Sequence, residues 1–232
     1  MPLHPFTAGE LFRGISEPEA QKISTLGTEQ RFPLGATIFS AGDHSHCVYI
    51  LRNGLVKLSS FSEAGRETIL HILEPDEIFG ELLFSEEKRA FTAIAIEDAL
   101  VTAVSRERFM KVLSSFPTVA LNFIRVLSKR LAKVEKGVAE SSHTWSYHRL
   151  AKVLLQLSEK YGEKISTGTL ITLRLTHEDL ANLIGATRET VTVQLNKFTR
   201  MGLLKRQARR LIVDRPRLIE FIRSEGLRPK NS

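Results

Sequence analysis

Thr187-Arg188-Glu189-Thr190 sets a guanidinium beside a carboxylate, with a hydroxyl on either side. Arginine carries a planar fork of donors that matches guanine O6 and N7, and glutamate accepts a hydrogen bond from cytosine N4. Such a run can grip the edges of nucleobases, a good bidentate pair giving ~1–3 kcal/mol of discrimination. His44, His46 and Cys47 fall near one turn. They can ligate a metal or a haem iron, but solvated turn residues beside a buried cysteine are the simpler reading, and no metal site is assigned. His71 alternates with Leu70 and Ile72 and reads as the polar face of a strand. No Ser/His/Asp, Cys/His or metal-ligand constellation at a recognisable spacing points to an enzyme.

Two short helices must position Arg188 and Glu189. Thr176-His177-Glu178-Asp179-Leu180 predicts a capped helix start, with Asp179 at the third position of a capping box. Leu180, Leu183 and Ile184, followed by Gly185, end that helix. After the tight turn at Gly185-Ala186, Thr187 caps a second helix through Val191, Leu195 and Phe198. Two short helices around a glycine-containing turn make a helix-turn-helix, although an ordinary αα-hairpin shares the pattern. The polar start of the second helix is the end that enters a major groove. Beyond Gly202, residues 203–205 and 211–213 predict two strands around Arg206-Gln207-Ala208-Arg209-Arg210. That basic tip suits phosphate and completes a winged helix-turn-helix.

Upstream, apolar or β-branched runs occur at 37–39, 47–51, 55–58, 68–72, 91–96 and 100–104. Between them lie Ala41-Gly42-Asp43, Asn53-Gly54 and Glu63-Ala64-Gly65. Asn-Gly between two such runs predicts a hairpin with positive φ at both turn positions. Regular short strands over 29–110 predict a sandwich or barrel. Phe116-Pro117-Thr118 can then open a helix. In it Ala120, Ile124, Leu127, Leu131, Val134 and Val138 recur at spacings of 4, 3, 4, 3 and 4. The seam is either the contact between two copies or the buried face of one amphipathic helix, and the strict 3.5 period favours a dimer. Phe123 and Val126 lie to one side and can pack on the barrel. Gly137 and Glu140-Ser141-Ser142 mark a hinge. Another helix runs from about Trp145 to Tyr161 with Leu150, Val153, Leu154 and Leu157 on one face, and stops at Gly162. Residues 170–175 read as a strand, and Trp145 is expected to pack at the domain junction.

A chain of 232 residues accommodates two domains of roughly 100 residues each. Its 42% hydrophobic and 25% charged residues are globular values. No run approaches the ~20 apolar residues of a membrane span, so no membrane partner is expected. The first 14 residues lack the basic start and apolar run of a signal peptide. The single cysteine, Cys47, excludes an intramolecular disulfide and any cluster held by several cysteines of one chain. A cytoplasmic location is expected. Residues 143–232 carry 17 Lys+Arg against 8 Asp+Glu, a net +9, whereas residues 1–142 carry 16 against 18, a net −2. The basic second part is either the one that meets a polyanion or an ordinary solvated surface.

The stretch Leu180-Ala181-Asn182-Leu183-Ile184-Gly185-Ala186-Thr187-Arg188-Glu189-Thr190-Val191 resembles the helix-turn-helix of the CRP/FNR family, the cyclic-AMP receptor protein-like bacterial transcription regulators. Phe79-Gly80-Glu81-Leu82 followed by Arg89 resembles that family's nucleotide-phosphate cassette. The resemblance covers about residues 20–225, and both motifs stand in the family's order. It implies an α+β fold: an N-terminal cyclic-nucleotide-binding-type β-barrel (jelly roll) over 1–115, a long dimerisation helix and hinge over 116–142, and a C-terminal winged helix-turn-helix over 143–232. It also implies base readout through Arg188 and Glu189. Thr176, Thr187, Thr190 and Arg209 stand where the family touches phosphates, contacts that position without specifying. Four residues after the glutamate the family commonly has arginine or another polar reader, and here Val193 stands there. Valine cannot donate to guanine, so Thr192 or Gln194 is expected to read instead.

For the barrel the resemblance implies a cyclic nucleotide at Gly80, Glu81, Arg89, Ala90, Val134 and Glu135. Glycine lets backbone N–H groups approach a phosphate, Glu81 can accept a ribose hydroxyl, and Arg89 can pair bidentately with the phosphate. Ala90 departs from the Ser or Thr of the family's cyclic-AMP binders, and Val134-Glu135 departs from their Thr-Ser pair. The effector is therefore cyclic AMP (cAMP) or another cyclic nucleotide, another small ligand, or none, Glu81 and Arg89 then forming a structural ion pair. The expected protein is a homodimeric, sequence-specific regulator on a palindromic double-stranded DNA operator, tuned by a small effector, with RNA polymerase a candidate further partner. The alternative is an effector-independent regulator with a vestigial pocket, and a remote one is an enzyme using the barrel.

Overall fold

The computed structural model describes residues 9–25, 27–84, 87–141, 145–207 and 210–225, the side chains of 24, 83, 136–141 and 225 excepted. The chain divides into two compact units, Met1–Ala139 and Glu140–Ser232. In the first, the strands are β1 (Thr28–Phe32), β2 (Thr37–Phe39), β3 (Cys47–Asn53), β4 (Val56–Phe61), β5 (Glu67–Leu73), β6 (Ile78–Phe79), β7 (Thr92–Ala95) and β8 (Ala99–Ser105). They build two four-stranded antiparallel sheets, ordered β1-β8-β3-β6 and β2-β7-β4-β5. This is a jelly roll. Helices α1 (Glu17–Ser24), α2 (Arg106–Ser115) and α3 (Pro117–Ser141) complete the unit.

Strand β3 shows why its sequence reads as an unbroken apolar run. Successive side chains point to opposite faces, and here both faces are covered. Tyr49 and Leu51 enter the core between the sheets, with Phe39, Val56, Leu73, Phe79 and Val101. Val48 and Ile50 join a second core with Leu11, Phe12, Phe109, Val112, Val119 and Phe123. That second core seats the helices, and Phe123 and Val126 pack there as expected.

The hairpin expected at Asn53-Gly54 is corrected. β3 and β4 lie in different sheets, and of the two residues only Gly54 has positive φ, at 78°. Glycine is needed for a close approach instead: a Cβ at position 54 would lie 2.3 Å from the Asp98 carbonyl oxygen. The turn between paired strands falls at Ser62–Arg66, where the Gly65 N–H donates to the Ser62 carbonyl at 2.8 Å. α1, α2, β1 and β6 were not foreseen. β1 is almost wholly exposed and β6 is two residues long, so neither carries an apolar pattern. α3 continues through Gly137 to Ser141 rather than breaking near the glycine, and the rest of the expected hinge, from Ser142, lies outside the described residues.

The second unit runs α4 (Ser146–Lys160), β9 (Gly162–Ile165), β10 (Gly168–Ile171), α5 (His177–Ile184), α6 (Arg188–Arg200), β11 (Leu204–Gln207), β12 (Arg210–Val213) and α7 (Arg215–Glu225). Its sheet is ordered β11-β12-β10-β9. The strand expected at 170–175 ends at Ile171 and is the second arm of a hairpin begun at Gly162. On α4, Leu150, Leu154 and Leu157 are buried. Trp145, expected to pack at the junction, is 74% exposed. No single helix among the described residues is long and apolar enough to cross a membrane.

Gly54→Ala should destabilise the protein by about 1–3 kcal/mol, from strained backbone plus the contact with Asp98. Gly65→Ala, at φ 72° but with open space around it, should cost less, about 1–2 kcal/mol. Urea unfolding followed by circular dichroism ranks the two, and equal losses would refute the close-approach explanation.

Candidate functional site

The helix pair is built by its caps. The Thr176 hydroxyl accepts from the Asp179 N–H at 3.0 Å, and the Asp179 carboxylate accepts from the Thr176 N–H at 2.9 Å. Gly185 ends α5 with φ 63° and ψ 47°. The Arg149 Nε–H of α4 donates to the Ile184 carbonyl at 2.9 Å, tying that end down. Thr187 caps α6 by accepting from the Thr190 N–H at 3.2 Å. Val191, Leu195 and Phe198 are fully buried, and Phe198 meets Phe221 edge-on at 5.3 Å. Arg188, Glu189, Val193, Asn196, Lys197 and Arg200 are exposed.

Hydrogen bonding then separates the polar residues of this region. Thr192 donates to the Arg188 carbonyl at 2.8 Å, so it accepts from His177 Nδ1, also at 2.8 Å. Gln194 donates to the Ser146 hydroxyl at 2.6 Å, and its Oε1 is buried. Both side chains are half-buried and hydrogen-bonded to the protein, with Gln194 Oε1 buried and unpartnered, which disfavours the expectation that they replace Val193 as base readers. Val193 itself is 66% exposed. Thr176 gives its hydroxyl proton to Asp179 at 2.6 Å, so here it serves as a cap. Thr187 and Thr190 share one hydroxyl hydrogen bond at 3.0 Å, leaving one proton between them. Arg209 lies outside the described residues. The strands β11 and β12 are longer than expected, so Arg206 and Arg210 sit on the ladder rather than in the tip. Burial, then the charges of Arg206 and Arg188, lower the pKa of His177.

In the barrel, Arg89 is only 6% exposed. Its two terminal nitrogens donate to the Gly80 and Cys47 carbonyls at 2.9 and 2.6 Å. The guanidinium lies over the Phe39 ring at 4.3 Å and the Tyr49 ring at 5.4 Å. Nε is buried without a hydrogen-bond partner. Burial lowers the Arg89 pKa and raises those of Tyr49 and the Cys47 thiol. Gly80 has φ 76°, and a Cβ there would meet Arg89 Nη1 at 2.6 Å. Glu81 does not pair with Arg89, which corrects that alternative: its carboxylate meets Arg130 of α3 at 2.6 Å. Ala90, Val134 and Glu135 are exposed, Val134 one helical turn beyond Arg130. A partly open cavity of about 250 Å³ lies elsewhere, lined by Leu11, Asp76, Glu77, Val126 and Arg130 among others. None of the expected ligand residues lines it.

Comparison with known proteins fits both halves. Residues 29–116 match the cyclic nucleotide-binding domain and residues 148–221 the Crp-like helix-turn-helix domain. The chain is 32% identical to a CRP-like cAMP-activated global transcriptional regulator of Mycobacterium tuberculosis, over 88% of this chain and 91% of that one. It is 31% identical to a cyclic AMP receptor protein of Thermus thermophilus, over 84% and 88%. The chain belongs to the CRP/FNR family. Among solved structures, a variant of CooA from Carboxydothermus hydrogenoformans shares 27% identity with a TM-score of 0.73, covering 90% of this chain and 92% of that one. This CRP/FNR protein is a DNA-binding transcription regulator, and its relatives are regulators rather than enzymes.

Sequence reasoning missed the links from barrel to α3. Arg130 holds Glu81 and the Ile78 carbonyl. His71, expected on a solvated face, bonds Glu77 at 3.1 Å and lies 3.5 Å from Lys133. The only sequence signal was that Arg130 and Lys133 flank the seam residue Leu131. His44 and His46 stack at 5.6 Å, and among the described residues no three His, Cys, Asp or Glu side chains gather to hold a metal. Burial raises the Glu77 pKa, but His71, the Glu74 N–H and Arg130 together bring it below its ordinary 4.5. A depressed carboxylate adds stability that is complete above its unfolded value and is lost as pH falls through the folded one. Glu77→Gln should therefore flatten the acid side of the stability–pH curve, below about pH 4.5, while changing its shape little at neutral pH. Urea midpoints from pH 7 to 3 check this, and parallel curves would refute it.

Proposed function

We propose that this regulator binds a two-fold symmetric operator as a homodimer, with the start of α6 in the major groove and base contacts from Arg188, Glu189 and Val193. The division of α6 carries the reading: its apolar face is fully buried while Arg188 and Glu189 stand exposed at its capped N-terminus. Val193 can cover a thymine methyl but cannot donate to guanine. The remaining proton of the Thr187–Thr190 pair, the helix N-terminus and Arg209 serve phosphates. RNA polymerase is the further partner such a regulator meets, in the cytoplasm.

A second copy covers the exposed stripe of α3. Leu121, Ile124, Leu131 and Val134 are 56%, 58%, 59% and 62% exposed, far more than a lone amphipathic helix needs. Ala120 is half-buried, and Leu127 leans on its own core. The Val138 side chain lies outside the described residues. Two-fold symmetry then places the half-sites ~34 Å apart, one DNA turn.

For the barrel we propose an anionic effector at Arg89, a cyclic nucleotide first. Arg89 spends two of its five N–H donors on carbonyls. The buried, unpartnered Nε–H is among those left. Phosphate supplies what that group lacks, although Ala90 gives up a hydroxyl contact of ~1 kcal/mol. The relative named as cAMP-activated makes cAMP the first probe. The effector-independent reading is favoured by one observation, that Arg89 is already clamped by carbonyls and rings.

Arg188→Ala with Glu189→Ala should lower operator affinity by roughly 30- to 25,000-fold relative to random DNA at fixed salt, since each pair is worth ~1–3 kcal/mol. Fluorescence anisotropy measures it, and unchanged affinity and preference would sink the reading. Leu131→Glu should yield monomers in sedimentation and weaken operator binding; a dimer of unchanged stability would refute the α3 interface. Isothermal calorimetry should show cAMP heat that Arg89→Leu abolishes, and silence at millimolar cAMP would leave the effector-independent reading.

A further inference from the structure

We propose that Asn196 is a specificity-determining residue of α6 that reads an adenine in each half-site, an inference that rests on the placement of α6 in the major groove. Asn196 is exposed, and no hydrogen bond holds its side chain among the described residues. It follows Glu189 by seven residues, so it lies within about 20° of it around the helix and about 10.5 Å further along the axis. Glu189, Val193 and Asn196 thus form one stripe at i, i+4 and i+7. The buried residues Val191, Leu195 and Phe198 point the opposite way.

A stripe of that length fits the major groove, which is about 12 Å wide. Recognition helices that lie along the groove use the same span of seven residues to reach base edges. Arg200, a turn further on the same side, is about 18 Å from Arg188 along the axis; it falls beyond the groove and meets phosphate. The chemistry of the stripe then has one gap. Arg188 donates and Glu189 accepts, but Val193 does neither; Thr192 is occupied by His177 and the Arg188 carbonyl, and Gln194 donates to Ser146 with its Oε1 buried. Asn196 carries the remaining uncommitted donor–acceptor pair on that face. A carboxamide matches adenine, accepting from N6–H and donating to N7.

The test is selection of bound duplexes from a pool randomised across the half-site, using the full-length protein, Asn196→Ala, and Arg188→Ala with Glu189→Ala. The unaltered protein should enrich adenine at one position per half-site, and Asn196→Ala should lose preference there alone. On a single duplex the loss should be roughly 5- to 150-fold. Replacing that adenine by 7-deazaadenine should weaken the unaltered protein and leave Asn196→Ala unaffected. An unchanged selection profile for Asn196→Ala, or equal weakening on every sequence as for a phosphate contact, would overturn the proposal. If the double variant also keeps the original profile, the placement of α6 itself fails and this inference falls with it.

Discussion

Three side chains on the hidden face of α6 decide what its open face can do. Val191, Leu195 and Phe198 are fully buried, and removing a buried Phe costs ~3–5 kcal/mol out of a total stability of about 5–15. Turning the helix by one residue, about 100°, would withdraw this seat and press charged side chains toward the core, where an unpaired charge costs several kcal/mol more. The rotation of α6 is therefore fixed by burial, not by contacts with DNA. Its ends are fixed by capping: Thr176 with Asp179, the left-handed Gly185, and Thr187 with the Thr190 N–H. The backbone of such a helix is ordered before any ligand arrives, so its ordering adds no cost to binding.

Two of the first unit's half-buried or buried cations are handled in different ways. Arg130 is neutralised by Glu81 at 2.6 Å. Arg89 has no such carboxylate and relies on two carbonyls and two aromatic faces. Gly80 and Glu81 are adjacent in the chain, so one peptide unit is held from the barrel side by Arg89 and from the α3 side by Arg130. An anion that drew Arg89 away from the Gly80 carbonyl would release one end of that unit while Arg130 still gripped the other. The strain would pass into α3, where the exposed stripe residue Leu131 is next to the same arginine. A coupling of ~1–3 kcal/mol is the usual scale for such effector responses.

Periodicity made the chain's larger elements legible. Most strands of the sandwich, the start of α3 at Pro117, and both helices of the helix-turn-helix with their caps follow from apolar spacing and punctuation in the sequence. What escaped did so for identifiable reasons. β1 is exposed except at Phe32, and β6 has two residues, so neither leaves an apolar trace. α2 follows β8 without a break, and Ser105 caps it while still ending the strand. Asn53-Gly54 looked like a hairpin because the dipeptide is common there, but the glycine answers to Asp98, 44 residues away in the chain. The pairing of Glu81 with Arg130 rather than Arg89 is also long-range, and no spacing rule reports it.

The same limit governs the recognition face. Spacing tells which residues of a helix share a side, yet a polar residue reads a base only if its donors and acceptors are free. Thr192 passed the chemical test and failed the second, since a partner on α5 had already taken it, while Gln194 is tied to α4 by its amide nitrogen with its oxygen buried. Buried polar groups must find partners within the protein, at a cost of ~1–3 kcal/mol for each that does not. Residues on the shoulder of the helix, between its buried and open faces, are therefore claimed by the fold before any ligand arrives. Only the centre of the open face escapes that claim. On the proposed placement of α6, a departure from the family's pattern at Val193 is offset from a full turn along the same stripe rather than by its immediate neighbours, 100° away on either shoulder.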